Sequence, residues 1–496
     1  MTQKWEIENF LDVRDNQLHI DGVSTVDLAR KHGTPLFVFS ESRIRHNIAR
    51  LQKAGDVIDC PLKVCYAAKA MSTMAILRTV KEAGCDIEVN SGGELWKALE
   101  IGFRGDQIIF NGTSKEIWEI ENAINAGIYA IQVDSLYELS LIEETAKRLG
   151  KRANVSLRLV PEIESDTHSG LQTALLTSKF GMMPDEAFSA FNKYKDSPHL
   201  DLCGIHLHIG SQNPDPIVYT QALEILYAGL KRIYADTGTA LKHINIGGGF
   251  PVNYIRGGWA DGEFTAGQRE MFAADFQPSD AINAAWQAIR ESFVPDDAST
   301  LIKNATLLLE PGRSIIADAG ICLTTVRNSK KRPVDSSPPY KGGVAAASAD
   351  GVVLSAGTRP TEVGTPNTDD WLLTDAGFNI LLSMETYKWY YDLISAERAG
   401  DPHGFPHKVA GPLCDGGDVY FDIEGENRLP DYRLLPDNIQ PGEVLALLNC
   451  GAYSLAQASQ YNGRFLPAVI LIRENGEAEL VRKRDKFDDL ITKDIF

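Results

Sequence analysis

The sequence predicts an α/β chain in two parts, a (β/α)8 barrel followed by an all-β domain. Three observations lead there. Between about residues 60 and 312, short β-branched runs alternate eight times with segments long enough to hold a helix. After residue 313 the rhythm changes to strand-like runs without regular helices. At 496 residues, the chain exceeds the size at which one hydrophobic core stops growing.

The predicted barrel strands are 63–69, 86–89, 108–112, 130–134, 156–160, 204–210, 243–249 and 306–312. Eight such units favour a closed barrel over an open doubly wound sheet. The segments between them fit amphipathic helices, as in 94–100 and 138–149. Residues 256–299 read as an enlarged barrel helix with an extra loop. Predicted strands of the second part are 352–354, 371–374, 408–411, 443–448, 468–472 and 477–481. Runs at 18–22 and 36–40 add strands to it, which gives three expected units: 1–40, 41–313 and 314–496. Residues 329–343, rich in Lys, Pro, Ser and Gly, read as a mobile excursion that small residues continue to 351.

Composition narrows the function. A net charge of −18 argues against nucleic acid or anionic membrane as a partner. No run of about 18 apolar residues is present, so no membrane span is expected. Met1-Thr-Gln-Lys-Trp has no apolar signal region, which favours the cytoplasm. Seven cysteines (60, 65, 85, 203, 322, 414 and 450) are scattered without CxxC spacing, as reduced thiols are.

In a barrel of this kind chemistry sits on loops at the C-terminal strand ends, and four useful groups fall there. Lys69 ends the first strand. Held in a partly apolar pocket, a lysine has a lowered pKa and becomes an amine nucleophile able to form a Schiff base; otherwise it is an ordinary rim residue. Gly247-Gly248-Gly249 follows the seventh strand, either as a backbone cradle for a phosphate or as a tight turn. Glu310-Pro-Gly312-Arg313 follows the eighth. There a carboxylate can keep a pyridine nitrogen protonated, and an arginine can meet a phosphate or carboxylate; the alternative is a Glu310–Arg313 ion pair. His206 and His208 share one face of the sixth strand. No third ligand is spaced for a metal, so His208 suits stacking on a planar cofactor and His206 reads as a core histidine. Cys414, in the Gly-lined loop Gly411-Pro-Leu-Cys414-Asp415-Gly-Gly-Asp418, can donate a proton. Tyr453, in Gly451-Ala-Tyr453, can donate to a phosphate.

Taken together, these motifs resemble the fold-type III pyridoxal-phosphate decarboxylases, the group of diaminopimelate, ornithine and arginine decarboxylases. The motifs are Tyr66-Ala-Ala-Lys69, His208-Ile-Gly-Ser211, Gly247-Gly-Gly249-Phe, Glu310-Pro-Gly-Arg313, Cys414-Asp-Gly-Gly-Asp and Gly-Ala-Tyr453. They span nearly the whole chain in the right order. Stretches 100–107 and 410–418 are most similar to bacterial D-ornithine/D-lysine decarboxylase.

The resemblance implies pyridoxal 5'-phosphate held covalently by Lys69, stacked against His208 and paired at its ring nitrogen with Glu310. Ser211, Gly249, Gly312, Arg313 and Tyr453 would surround the phosphate. Arg313, Tyr387, Asp415 and Tyr453 would contact an amino-acid substrate. Cys414 would protonate Cα after carbon dioxide leaves. Cys414 and Asp415 would come from the other subunit of a homodimer, and Asp86 and Glu94 match acidic positions near the cofactor.

One departure bears on the substrate. Diaminopimelate decarboxylases carry an Arg-Pro pair before a tyrosine, where this chain has Ser383-Met384 and then Tyr387. Their Cys-Glu-Ser is Cys414-Asp415-Gly416 here. Losing that arginine removes a charge-assisted pair worth about 1.5–3 kcal/mol, roughly ten- to a hundredfold in affinity. The expected reaction is therefore decarboxylation of a D-ornithine or D-lysine type substrate to a diamine. Alternatives are meso-diaminopimelate, if an arginine near 256 or 327 substitutes, or a modified amino acid of a siderophore or antibiotic pathway. Alanine-racemase chemistry lacks a matching tyrosine base. An inactive regulatory homologue would not retain Lys69, Glu310, Cys414 and Tyr453.

Overall fold

The computed structural model describes residues 4–160, 178–256, 266–291, 297–333, 368–424 and 428–495. Eight parallel strands close into the predicted barrel: Leu62–Ala67, Asp86–Val89, Ile108–Phe110, Ala130–Val133, Ala153–Arg158, Leu200–His206, His243–Asn245 and Thr306–Leu309. The eighth pairs with the first, Leu308 beside Lys63, and removes both edges. Several predicted strands overrun these limits at their C-terminal ends. Lys69, Gly112, Asp134, His208, Gly249 and Gly312 lie beyond the ladder, on the loops that form the barrel mouth.

The helices between strands are set by local capping. Ser91 accepts from Glu94 N at 3.2 Å at the start of Gly92–Ile101, and Glu94 Oε2 accepts from Asn90 N at 2.8 Å. Ser135 and Glu138 repeat the device ahead of Leu136–Arg148. The expected enlarged helix over 256–299 is instead, in its described part, the two helices Ala266–Ala273 and Pro278–Glu291 and the start of a third, Asp297–Asn304.

The second sheet runs in the order Arg433–Leu435, Phe405–Ala410, Thr368–Thr374, Gly320–Pro333, Leu36–Ser40, Ala468–Ile472, Ala478–Arg482. Leu36–Ser40 lies antiparallel to Gly320–Pro333 and parallel to Ala468–Ile472. The predicted run at 18–22 belongs elsewhere: Gln17–Ile20 forms a small sheet with Leu11–Arg14 and Val23–Ser24. The excursion expected from residue 329 also needs correcting. Residues 329–333 continue strand Gly320–Pro333 and pair with Thr368–Thr374. Cross-strand contacts sustain that polar ribbon: Lys331 meets Asp370 at 3.4 Å and Lys330 lies over the Trp371 ring. The predicted strand 352–354 lies outside the described residues.

Sheet and barrel are joined by buried polar contacts. Arg43 donates to Asp318 Oδ2 through Nε at 3.2 Å and Nη2 at 2.5 Å, and Asn47 donates to Asp318 Oδ1 at 2.6 Å. Tyr453 N donates to Ala70 O at 3.0 Å, which seats a β-domain tyrosine beside the Lys69 turn. No helix of the described residues is long and apolar enough to cross a membrane. All seven cysteines are unpaired.

Candidate active site

Lys69 sits in a single 3-10 turn, Ala68–Ala70, directly after the first barrel strand. Tyr66 Oη donates to Met71 O at 2.9 Å and ties the turn down. The Lys69 side chain is open to solvent at the mouth, with the barrel wall around its other sides. Its pKa moves opposite to the sequence expectation. Burial opposes the charge, but Glu88, then Tyr453 and Glu310, outweigh it and raise the pKa.

Glu88 and Glu310 are buried acids on the second strand and after the eighth, flanking the first strand that leads to Lys69. One amide joins them: Asn111 Nδ2 donates to Glu88 Oε1 at 2.7 Å and to Glu310 Oε2 at 2.9 Å. Asn245 Nδ2 donates to Glu310 Oε1 at 2.7 Å. Burial, and then the charge of Glu88, push Glu310 up to about 7. His206 Nε2 lies 3.5 Å from Glu310 Oε2, closer to the acid than a core reading of that histidine implied. Burial, then Arg158, push the His206 pKa well down, so it faces Glu310 as a neutral ring. His208 is neutral for a similar reason, burial first and then Lys69.

The three glycines after the seventh strand are sterically required. Gly247 and Gly249 have φ of +70° and +90°. A Cβ at Gly247 would collide with His208 Nδ1, at Gly248 with Glu310 O, and at Gly249 with Asn213 Nδ2. Gly248 N donates to His208 Nδ1 at 3.3 Å. Gly312, after the neighbouring strand, is less crowded: a Cβ would stand 3.1 Å from the Cβ atoms of Ala67 and Ala70 and 3.3 Å from Tyr453 Oη.

Glu310 and Arg313 form no ion pair with each other, which removes the simple rim alternative. Arg313 Nε donates to Ser211 Oγ at 3.2 Å and Nη1 to Tyr254 Oη at 3.0 Å. Its guanidinium lies over the rings of Trp389 at 4.1 Å and Tyr453 at 4.9 Å. Lys69, His208, Ser211, Gly249, Glu310, Gly312, Arg313 and Tyr453 thus form one connected group at the barrel mouth.

Cys414 and Asp415, expected to serve the other subunit, lie apart from that group. Cys414 and Asp415 are exposed. Cys414 N donates to Asn462 Oδ1 at 2.7 Å, and Asp415 Oδ2 accepts from Tyr461 Oη at 3.1 Å. Asp86 lies at the start of its strand, at the closed end of the barrel, paired with Lys63 and accepting from Gln107 Nε2 at 3.1 Å. Glu94 caps a helix. The acid that faces Lys69 is Glu88, two residues beyond Asp86 and on the same face of the strand. Sequence reasoning also missed Asn111, Asn245 and Arg158. Asn111 has the strand-end position that singled out Lys69, so the same signal applied to amides would have found it. Tyr387 is half-buried behind the short helix Leu382–Thr386, and Ser383 Oγ donates to Gln457 Oε1 at 3.2 Å and Tyr453 O at 3.3 Å.

An amine on one strand end, a deep carboxylate held by two amides and a close-packed glycine turn that ends at the partly exposed Gly249 fit a phosphorylated pyridine aldehyde. They define the class of barrel enzymes that carry such a cofactor. Residues 41–317 match the model of the pyridoxal-dependent decarboxylases, in their pyridoxal binding domain. The chain is 31% identical over 494 residues to diaminopimelate decarboxylase of Methanocaldococcus jannaschii, covering 98% of this chain and 96% of that protein. It is 30% identical over 489 residues to the Bacillus subtilis protein of the same name, covering 97% of each. The crystal structure of the M. jannaschii enzyme with L-lysine aligns with a TM-score of 0.79 at 29% identity over 98% of both chains. The chain belongs to the pyridoxal-dependent decarboxylase family, and pyridoxal phosphate is its cofactor. These relatives are named diaminopimelate decarboxylase, not the D-ornithine/D-lysine enzyme to which the sequence motifs were most similar.

Proposed function

We propose that this decarboxylase acts on an α-amino acid whose far end carries a second amine, with diaminopimelate as the first candidate substrate. The observation that carries this reading is the full-length likeness to enzymes of that name, 30–31% identical over nearly all of both chains. Domain limits at 40 and 313 belong to the same proposal.

In this reading Lys69 holds the cofactor through its amine, His208 lies against the ring as a neutral imidazole, and Glu310 holds the proton at the ring nitrogen. Ser211, Gly249, Gly312, Arg313 and Tyr453 surround the phosphate. When bound, pyridoxal phosphate supplies the electron sink for the pair released as the Cα–carboxylate bond breaks. Asn111 and Asn245 keep the Glu310 oxygens fixed so that no reorganisation is needed as charge develops. Cys414 gives the proton to Cα, while Asp415 and Tyr387 meet the far end of the substrate. Cys414 and Asp415 serve the partner's site in a homodimer, a reading supported by their exposure. Seven unpaired cysteines support a cytoplasmic setting.

A second reading, D-ornithine or D-lysine, is favoured by Ser383. The resemblance puts an arginine there, and the two candidates to replace it are engaged elsewhere. Arg256 Nη2 faces Asp318 at 3.9 Å, and Arg327 Nη2 meets Asp375 at 2.6 Å. Carbon dioxide release from meso-diaminopimelate and from D- and L-ornithine, lysine and arginine decides between them. The highest kcat/KM on meso-diaminopimelate upholds the first reading; a D-diamino monocarboxylate as best substrate replaces it with the second. No release from any member of the panel refutes both.

A further inference from the structure

A cavity of about 660 Å³ lies on the β-domain side of the molecule, walled by Arg327, Arg464 and Arg484. Its one acid among the described lining residues is Asp375, whose oxygens are already engaged. Oδ1 accepts from Thr324 Oγ1 at 2.8 Å and Thr325 N at 3.0 Å; Oδ2 accepts from Thr34 Oγ1 at 2.6 Å and Arg327 Nε at 2.8 Å. Asp375 therefore neutralises Arg327.

The other two guanidiniums donate their hydrogen bonds to neutral groups, with Asp375 and Asp418 as nearby but unbonded acids of Arg484 and Arg464. Arg484 Nη2 donates to the carbonyls of Gly33 at 3.1 Å and Pro35 at 2.6 Å. Arg464 Nη2 donates to Pro412 O at 2.8 Å. Backbone carbonyls fix the position of an arginine without cancelling its charge, and each fork has five N–H donors. In a chain of net charge −18, two such cations on one cavity wall stand against the overall field. Phe465 and Leu413 give the same cavity an apolar wall, and Phe465 is braced edge-on by Phe487 at 5.1 Å. The volume is that of a small-molecule site.

We propose that this cavity is a second ligand site, which takes a small organic anion with its phosphate or carboxylate on Arg464 and Arg484 and its apolar body against Phe465 and Leu413. The site is separate from the cofactor turn at Gly247–Gly249 and independent of which amino acid the enzyme decarboxylates.

The test is calorimetric titration of the pyridoxal-phosphate-loaded protein, whose cofactor site is already filled, with phenyl phosphate, benzoate and inorganic phosphate. One molecule of phenyl phosphate or benzoate should bind per chain, and more tightly than inorganic phosphate. The stronger of the two identifies the preferred head group. Arg464→Gln should weaken binding about tenfold or more, the loss of a charge-assisted pair. Asn328→Trp, at an exposed strand position on the rim, should fill the cavity and abolish binding with the fold intact by circular dichroism. Undiminished binding in both variants, or no millimolar binding of any probe to the wild type, overturns the proposal. So does dissociation of a dimer by Asn328→Trp, which would mark the cavity as a contact between two copies.

Discussion

The barrel mouth and the Cys414–Asp415 loop are built in opposite ways. At the mouth the deep groups are fixed by hydrogen bonds from the same barrel: Glu310 by Asn111 and Asn245, Arg313 by Ser211 and Tyr254. The loop is exposed, and Asn462, Tyr461 and Gly417, which hydrogen-bond to it, are neighbours in its own domain. One region is preorganised before any ligand arrives; the other presents reactive side chains outward, as a contribution to a second molecule would. The difference teaches that, in the proposed reading, the cofactor half and the proton-delivery half of one chemistry sit on separate structural units.

The largest effect should come from the mouth. Lys69→Ala is expected to abolish the visible absorbance of bound cofactor and to lower turnover by at least about a thousandfold. Wild-type turnover in that variant would leave the mouth without its assigned role. Cys414→Ala should cost on the order of 10²–10⁴ in kcat with the cofactor absorbance retained. Mixing it with Lys69→Ala sharpens the comparison. Random subunit exchange gives mixed dimers in which one of two sites is complete, so about a quarter of wild-type activity should return. No recovery after verified exchange means that the loop serves its own chain.

Next comes a pH effect confined to the mouth. The Glu310 pKa is raised from an ordinary 4.5 to about 7, so the folded state favours the protonated acid. The stability this gives the cofactor-free protein is complete below about 4.5 and is lost as pH rises through about 7, by up to about 3 kcal/mol. Urea unfolding across that range should show the loss, and Glu310→Gln should flatten it. The smallest effect belongs to the loop: Asp415→Asn should cost about ten- to a hundredfold in kcat/KM, chiefly for substrates with a distal ammonium. A cost equal across the whole substrate panel would separate Asp415 from recognition of that end.

Much of the mouth was legible because barrel strands are buried on both faces and read as continuous β-branched runs, with polar residues at their ends. Lys69, His208 and Glu310 stand out against such a background. Glu88 does not, since an acid inside a four-residue strand carries no mark of which end of the barrel it faces. Asn111 and Asn245 escaped notice because amides bear no charge to mark them, although they fix the acid. The β domain was less legible. Strands such as Gly320–Pro333 alternate between buried and exposed ends, and their pairing depends on segments far away in sequence.

The strand Leu36–Ser40 shows what such pairing entails during synthesis. It is made before the barrel, yet it ends up inserted between Gly320–Pro333 and Ala468–Ile472. While the rest of the chain emerges, Leu36-Phe-Val-Phe-Ser40 has neither neighbour, and its open amides and apolar side chains are a template for mispairing between nascent chains. Pairs so distant along the chain form slowly. A gene fragment that stops after the barrel would carry this orphan segment permanently, because both strands that cover it, Gly320–Pro333 and Ala468–Ile472, lie beyond the barrel in sequence.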